Sequence, residues 1–304
     1  LRQSLYAADI AVAHQLWQSG NRHLAQLKLE GLRPHGDEAD LRGFEWHYLW
    51  RLCHLGDLMQ PEHTGDVYGI AFSPDGSLLA TASQDETVHV WDVATGAMVA
   101  TLSEQAGELN CVAFSPHGRL LAIGADNGTI LIRDTKSWEL KATLAGHSDD
   151  VLCVAFSPDG QLLASGAWDD QVRLWDTTDF EAKATFEGHA NDVEYVAFSP
   201  DSKSLAAACW NDSTVRLWDT ASGKERMVLR GHAQRVYCVA FSHDGRLLAS
   251  GDKDYTVRLW DTTSGEMLHA LSGHSEWVRG VAFSPDDRTL ASCSHDTFVR
   301  LWDT

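Results

Sequence analysis

One string constrains this chain more than any other feature. Val/Ile-Ala-Phe-Ser, followed by a turn rich in Pro, Asp and Gly, begins at Ile70, Val112, Val154, Val196, Val239 and Val281. The steps are 42, 42, 42, 43 and 42 residues. Trp-Asp recurs in phase at Trp91, Trp175, Trp218, Trp260 and Trp302. Gly-His falls at His147, His189, His232 and His274, with His63 in register behind Glu62. A fixed period of this length means one supersecondary unit stacked on copies of itself.

Each unit reads strand, turn, strand, turn, strand. Val-Ala-Phe alternates and meets Ser-Pro-Asp-Gly, whose residues favour a tight turn. Leu-Leu-Ala-Ser-Gly follows, then an Asp-containing turn, then Thr-Val-Arg-Leu-Trp-Asp with a period of two. A fourth strand, such as Lys141–Leu144, precedes the next Gly-His. Four short strands per repeat, closed radially, make a β-propeller blade. The expected fold is all-β, six repeats of four-stranded blades, with a short N-terminal α-helical extension.

These motifs resemble the WD40 repeat family, over residues 63–304, about four-fifths of the chain. The resemblance implies a hydrogen-bonded tetrad of His, Ser or Thr, Asp and Trp inside each blade. The spacing fits His63, Thr81, Asp85 and Trp91 in the first blade and His147, Ser165, Asp169 and Trp175 in the third. It fits His232, Ser250, Asp254 and Trp260 in the fifth, and His274, Ser292, Asp296 and Trp302 in the sixth. The second blade has Gln105, Ile123, Asn127 and Arg133 there and is expected to be the softest. The fourth keeps His189, Asp212 and Trp218 but has alanine at 207 and 208, and carries one extra turn residue.

Residues 1–56 differ in kind. Leu5, Ala8, Ala11, Val12, Leu16 and Trp17 predict an amphipathic helix over 2–18, ended by Ser19-Gly20-Asn21. Residues 22–31 suggest a second helix, and 44–53 an aromatic third. The block resembles the connector before WD40 repeats in large bacterial proteins of the planctomycete type, many of which carry a serine/threonine protein kinase domain. No Gly-rich phosphate loop, H-R-D or D-F-G is present. The expected domains are 1–56 and 57–304. Each outer strand is encoded at the start of the following repeat, so the sixth blade needs one from elsewhere. Residues 57–60 could supply it. A further blade beyond Thr304 is the alternative, and the ends of the sequence suggest a piece of a longer protein.

Charge excludes some functions. The chain has 24 Lys+Arg against 43 Asp+Glu, a net charge of −19, which argues against nucleic-acid binding. No run of 18 apolar residues exists, so no membrane insertion is expected. The six cysteines include no C-x-x-C, and five sit at strand positions expected to face inward as small hydrophobes. No metal-binding motif, cofactor motif or G-x-S-x-G elbow appears. Ser, His and Asp recur together in four blades, where a catalytic site is normally single. The expectation is no catalytic residue, no metal and no cofactor.

The remaining expectation is a binding surface. The resemblance implies that three positions per blade face the narrow top of the ring: the third and fifth residues after the repeat His, and the one before the turn Asp. They are Asp66, Tyr68 and Gln84; Glu108, Asn110 and Asp126; and Asp150, Leu152 and Trp168 in the first three blades. The later blades offer Asp192, Glu194 and Asn211, with Trp210 beside it; Arg235, Tyr237 and Lys253; and Trp277, Arg279 and His295. Blades one to four carry six carboxylates, while five and six carry three cations with Tyr237 and Trp277. The sequence therefore predicts a non-catalytic scaffold for a protein or peptide whose basic part lies over the first four blades. The alternative is the sensor or docking region of a larger kinase. Buried cysteines suit the cytoplasm, or the propeller lies outside it if the parent is membrane-anchored.

Overall fold

The computed structural model describes residues 2–18, 21–32, 63–186, 192–210 and 212–304. The proposed third helix, the strand at 57–60, His189 and Asn211 lie outside them. Two compact units emerge, and the strand-built one begins at His63.

The first unit is a helical hairpin. Helix α1 spans Arg2–Gln18 and α2 spans Arg22–Glu30. Ala13, Ala25 and Leu29 are fully buried, with Tyr6, Ile10, Leu16 and Leu32 packed round them. The predicted apolar face of α1 is thus only partly right, because Val12 points to solvent, as do Leu24 and Leu27 of α2. Lys28 pairs with Asp9 across the hairpin at 2.7 Å. No helix among the described residues is long and apolar enough to cross a membrane.

Among the described residues the second unit holds 23 strands in six antiparallel sheets. The first blade is β1 (Val67–Phe72), β2 (Leu78–Ser83), β3 (Thr87–Asp92) and β4 (Met98–Ser103). The second is β5 (Leu109–Phe114), β6 (Leu120–Ala125), β7 (Thr129–Asp134) and β8 (Leu140–Ala145). The third is β9 (Val151–Phe156), β10 (Leu162–Ala167), β11 (Val172–Asp176) and β12 (Ala182–Phe186). The fourth is β13 (Val193–Phe198), β14 (Ser204–Cys209), β15 (Thr214–Asp219) and β16 (Glu225–Arg230). The fifth is β17 (Val236–Phe241), β18 (Leu247–Asp252), β19 (Thr256–Asp261) and β20 (Met267–Ser272). The sixth has β21 (Val278–Phe283), β22 (Thr289–Ser294) and β23 (Val299–Asp303), a sheet of three strands.

Local chemistry sets each turn. Ser73 donates its hydroxyl to Asp75 and accepts the Leu78 N–H, while Gly76 takes φ +70°. Glycine, with no Cβ, adopts that left-handed backbone at least cost, and Ser202 and Asp287 take it in the fourth and sixth blades. The Ser–Asp bond recurs at Ser157, Ser199, Ser242 and Ser284.

Blades meet face to face. Val88, Val90 and Leu102 of the first blade pack on Leu109, Val112, Phe114 and Leu121 of the second. Equivalent apolar clusters join the second to the third, third to fourth, fourth to fifth and fifth to sixth. The first strands β1, β5, β9, β13, β17 and β21 adjoin in that order and line the interior of the ring.

Candidate functional site: the top face of the ring

Inside the blades the tetrads are hydrogen-bonded chains. In the third blade His147 Nδ1 lies 3.0 Å from Asp169 and its Nε2 lies 2.7 Å from Ser165 Oγ. Trp175 Nε1 donates to the same Ser165 Oγ at 2.9 Å. Indole N–H can only donate, so the serine hydroxyl accepts from it and donates to His147 Nε2. That leaves Nδ1–H to donate to Asp169. Burial of His147 lowers its pKa, against the pull of Asp169, which favours this neutral form.

The first blade repeats the chain through His63, Thr81, Asp85 and Trp91. The sixth repeats it through His274, Ser292, Asp296 and Trp302. Burial opposes ionisation of Asp296, but N–H groups of Phe298 and Ser275 and the His274 ring hold it at about 2. Each serine or threonine hydroxyl is committed between a histidine and a tryptophan.

The fifth blade departs from expectation. His232 Nε2 meets Ser250 at 2.6 Å and Trp260 donates to Ser250 at 2.8 Å, as predicted. Yet His232 Nδ1 lies 2.9 Å from Asp252, not Asp254. Asp252 is fully buried where other blades have serine, alanine or cysteine. Asp254 instead accepts from the N–H groups of Ala233 and Thr256 and from Arg258. Burial raises the Asp252 pKa, with Asp254 adding to it. Donor atoms of His232, Asp252 and Asp254 come within 4.8 Å of one another, the one grouping among the described residues close enough to hold a metal ion. Metal-motif spacing gave no sign of it.

The second blade replaces its tetrad with an ion pair. Arg133 Nε donates to Glu104, whose side chain is almost wholly buried, and Arg133 also donates to the Trp138 carbonyl. Ile123 fills the serine position within an apolar cluster. In the fourth blade Ala207 pairs with Arg216 as Ser165 pairs with Arg173, which fixes it as the missing serine. Trp218 there stacks on Phe186 at 5.3 Å.

One end of the ring carries a cavity of about 920 Å³. Of the residues singled out from sequence, Tyr68, Glu108, Asn110, Asp150, Leu152, Trp168, Glu194, Trp210, Arg235, Tyr237, Trp277 and Arg279 line it. Asp66, Gln84, Asp126, Asp192, Lys253 and His295 do not line it. The last two touch its wall, Lys253 Nζ lying 4.4 Å over the Trp277 ring and the His295 ring 5.3 Å from it. Asp66 and Asp192 accept the Gln84 and Trp210 N–H groups through their carbonyls.

Aromatic rings and cations interleave on one side. Trp168 stacks on Trp210 at 6.4 Å, and Arg235 lies 4.1 Å over Trp210. Arg279 lies 4.3 Å over Tyr237, which stacks on Trp277 at 5.9 Å. Arg279 Nε also donates to His295 Nε2 at 3.1 Å. Such cation–π contacts hold a guanidinium in place without neutralising it.

The other side is acidic. Burial raises the Asp150 pKa, with Asp149 and Asp126 adding to it. Burial likewise raises Asp192, with Asp170 and Asp149 adding and Arg235 opposing. Glu194, between the two halves, is raised by burial against Arg279 and Arg235.

Comparison with known proteins now decides the family. Residues 67–210 match the family described as the echinoderm microtubule-associated protein second beta-propeller. Residues 223–261 and 265–303 match the WD domain, G-beta repeat. The chain is a WD40-repeat protein. Its relatives are alike over about a single repeat. Protein Mut11 of Chlamydomonas reinhardtii is 62% identical over 39 residues, 13% of this chain and 10% of its own length. Pleiotropic regulator PRL2 of Arabidopsis thaliana is 37% identical over 59 residues, 19% of this chain and 12% of its own length. The probable serine/threonine-protein kinase PkwA of Thermomonospora curvata is 54% identical over 37 residues, 12% of this chain and 5% of its own length. This WD40 chain thus matches only a small part of each relative.

Two assignments on the WD40 top face change. The Trp210 N–H bonds the Asp192 carbonyl as the Trp168 N–H bonds Asp150. Trp210 therefore holds the third top position of the fourth blade. Counting forward from β14 rather than back from Asp212 would have found it. Tyr237 is only 6% exposed, so it supports Arg279 and Trp277 from beneath instead of presenting a ring to a ligand. Tyr195, exposed on β13, lines the cavity and was missed.

Proposed function

We propose that this WD40 propeller is a non-catalytic scaffold that binds a protein or peptide across the top cavity. The ligand's basic part lies over the carboxylates of the first four blades, its acidic or carboxylate part over Arg235, Lys253 and Arg279. The observation that carries this reading is the asymmetry of one face. Half-buried carboxylates with raised pKa stand opposite cations held on aromatic rings. A cationic ligand group would relieve the first, and indole beside arginine is the composition of a binding hot spot. Family-wide protein interaction among WD-repeat proteins supports it, and the tetrad serines are already committed to structure.

The test is paired capture on immobilised wild-type chain and a Trp168→Ala/Trp277→Ala/Arg279→Ala variant, with retained proteins identified by mass. Proteins held by the first and lost by the second support the reading. Equal retention on both removes the binding site from this face.

A second reading is favoured by the 54% identity to PkwA: the chain is a docking region of a bacterial kinase and part of a longer protein. A coding sequence with an upstream kinase domain in frame would establish it; a complete gene without one would end it. The buried cysteines Cys111, Cys153, Cys209 and Cys238 suit a reducing cytoplasm. Fractionation of the intact protein tests that placement.

A further inference from the structure

Asp252 is the residue that the repeat least explains. The other five blades place Ser83, Ala125, Ala167, Cys209 and Ser294 at this position, the last of the second strand. The Asp252 side chain is 0% exposed. A carboxylate taken out of water calls for a cation or a metal ion beside it. The nearby cations are engaged elsewhere. Lys253 lies over Trp277, and Arg258 reaches Asp254 at 3.3 Å.

His232, Asp252 and Asp254 converge as no other tetrad does. Asp252 Oδ1 accepts the Asp254 N–H at 2.9 Å, which leaves Oδ2 to face His232 Nδ1. Those two buried atoms lie 2.9 Å apart, yet they are misaligned for a hydrogen bond and neither has another partner. In the first, third and sixth blades the same histidine nitrogen is hydrogen-bonded to the turn Asp. Asp254 Oδ2 has lost that histidine. It keeps two long contacts, 3.2 Å to the Ala233 nitrogen and 3.3 Å to Arg258. Donor atoms of all three side chains lie within 4.8 Å of one another.

We propose that His232 Nδ1 and one oxygen each of Asp252 and Asp254 form a site for a divalent metal ion of the zinc class. The ion would tie the loop before the fifth blade to the end of β18 and the turn that follows. One imidazole nitrogen and two carboxylate oxygens suit Zn²⁺ and its first-row neighbours, whereas Ca²⁺ and Mg²⁺ take larger sets of oxygens. Two carboxylates balance the charge of one dication. Three protein ligands leave the fourth position of a zinc tetrahedron to water. Ligation through Nδ1 puts the ring proton on Nε2, which donates it to Ser250 Oγ at 2.6 Å. That oxygen has two lone pairs and also accepts from Trp260. The tetrad serine thus becomes the outer partner that orients a metal-bound imidazole. Lys253 lies between the two carboxylates in sequence, and Arg235 follows three residues after His232. The ion would therefore brace the backbone that carries two cations of the top face.

Zinc titration of the 304-residue chain after dialysis against a chelator tests this, with Asp252→Ser as the comparison. Serine stands there in the first and sixth blades and accepts the same turn N–H, so the variant keeps its fold, which circular dichroism checks. Calorimetry should find one Zn²⁺ per parent chain, bound about tenfold or more tighter than any surface sites, and the variant should lack it. Zn²⁺ should raise the thermal midpoint of the parent and leave that of the variant in place. Equal Zn²⁺ binding by both proteins would mean an adventitious ion only and would overturn the inference. Absence of a tight equivalent in the parent would overturn it too, leaving a proton to join His232 and Asp252. So would Mg²⁺ or Ca²⁺ binding as tightly as Zn²⁺.

Discussion

The inside of a blade and the top of the ring obey opposite rules. Inside, the same backbone position carries the same side chain: Ser165, Ser250 and Ser292 each join a histidine to a tryptophan. On top, equivalent positions carry Asp66, Glu108, Asp150, Asp192, Arg235 and Trp277. Repetition marks what folding requires of every blade. Its breakdown marks where the molecule differs from one blade to the next and can select a ligand.

This contrast breaks if stability and binding change together. Trp260 is 1% exposed and donates to Ser250, so Trp260→Ala should lower stability by about 3–5 kcal/mol. Denaturant unfolding measures this, and retained capture at a temperature where the variant is folded would keep the two regions separate. The Trp168/Trp277/Arg279 alanine variant should do the reverse. It should lose capture by about 30-fold or more while its unfolding midpoint stays close to that of the parent.

The fifth blade sharpens the comparison, because its interior breaks the repeat. Asp252 is buried with a raised pKa, so the native state disfavours its ionised form. Its favourable contribution is present below the unfolded carboxylate value and is lost as pH rises through the folded one. Ser83 and Ser294 occupy the position in two other blades and accept the turn Asp N–H, as Asp252 accepts from Asp254. Asp252→Ser should therefore stabilise the chain by about 1–2 kcal/mol at pH 7, with the gain vanishing toward pH 4. Unfolding curves across that range give the answer.

The smallest expected effect is on the face. Raised pKa values at Asp150, Asp192 and Glu194 mean these groups gain protons earlier than ordinary carboxylates as pH falls. Affinity for a basic peptide should drop several-fold between pH 7 and 5, and more steeply than in an Asp150→Asn/Asp192→Asn variant.

The sequence displayed what repeats and hid what does not. Strands, turns and three complete tetrads follow from spacing, because each depends on contacts made again every 42 or 43 residues. The Asp252 substitution was visible in Asp252-Lys253-Asp254, but only packing decides which carboxylate reaches His232. Arg133 and Glu104 are 29 residues apart, so their pairing across the second blade leaves no local signal. The expectation of softness there rested on the lost tetrad alone. Trp210 was displaced by one inserted residue, and burial of Tyr237 arises from Arg279 and Trp277 of the neighbouring blade. In the first unit the pattern placed α1 but not its face, because α2 packs on Tyr6, Ile10 and Ala13 instead of Val12.

The central claim is that the divided top face is the functional surface. Its most direct test is fluorescence anisotropy of a labelled peptide with a Lys/Arg block followed by an Asp/Glu block, titrated with wild-type chain and with the Trp168/Trp277/Arg279 alanine variant. The account predicts saturable binding to the first, at least tenfold weaker binding to the second, and weakening with salt. Equal affinity for both proteins would contradict it.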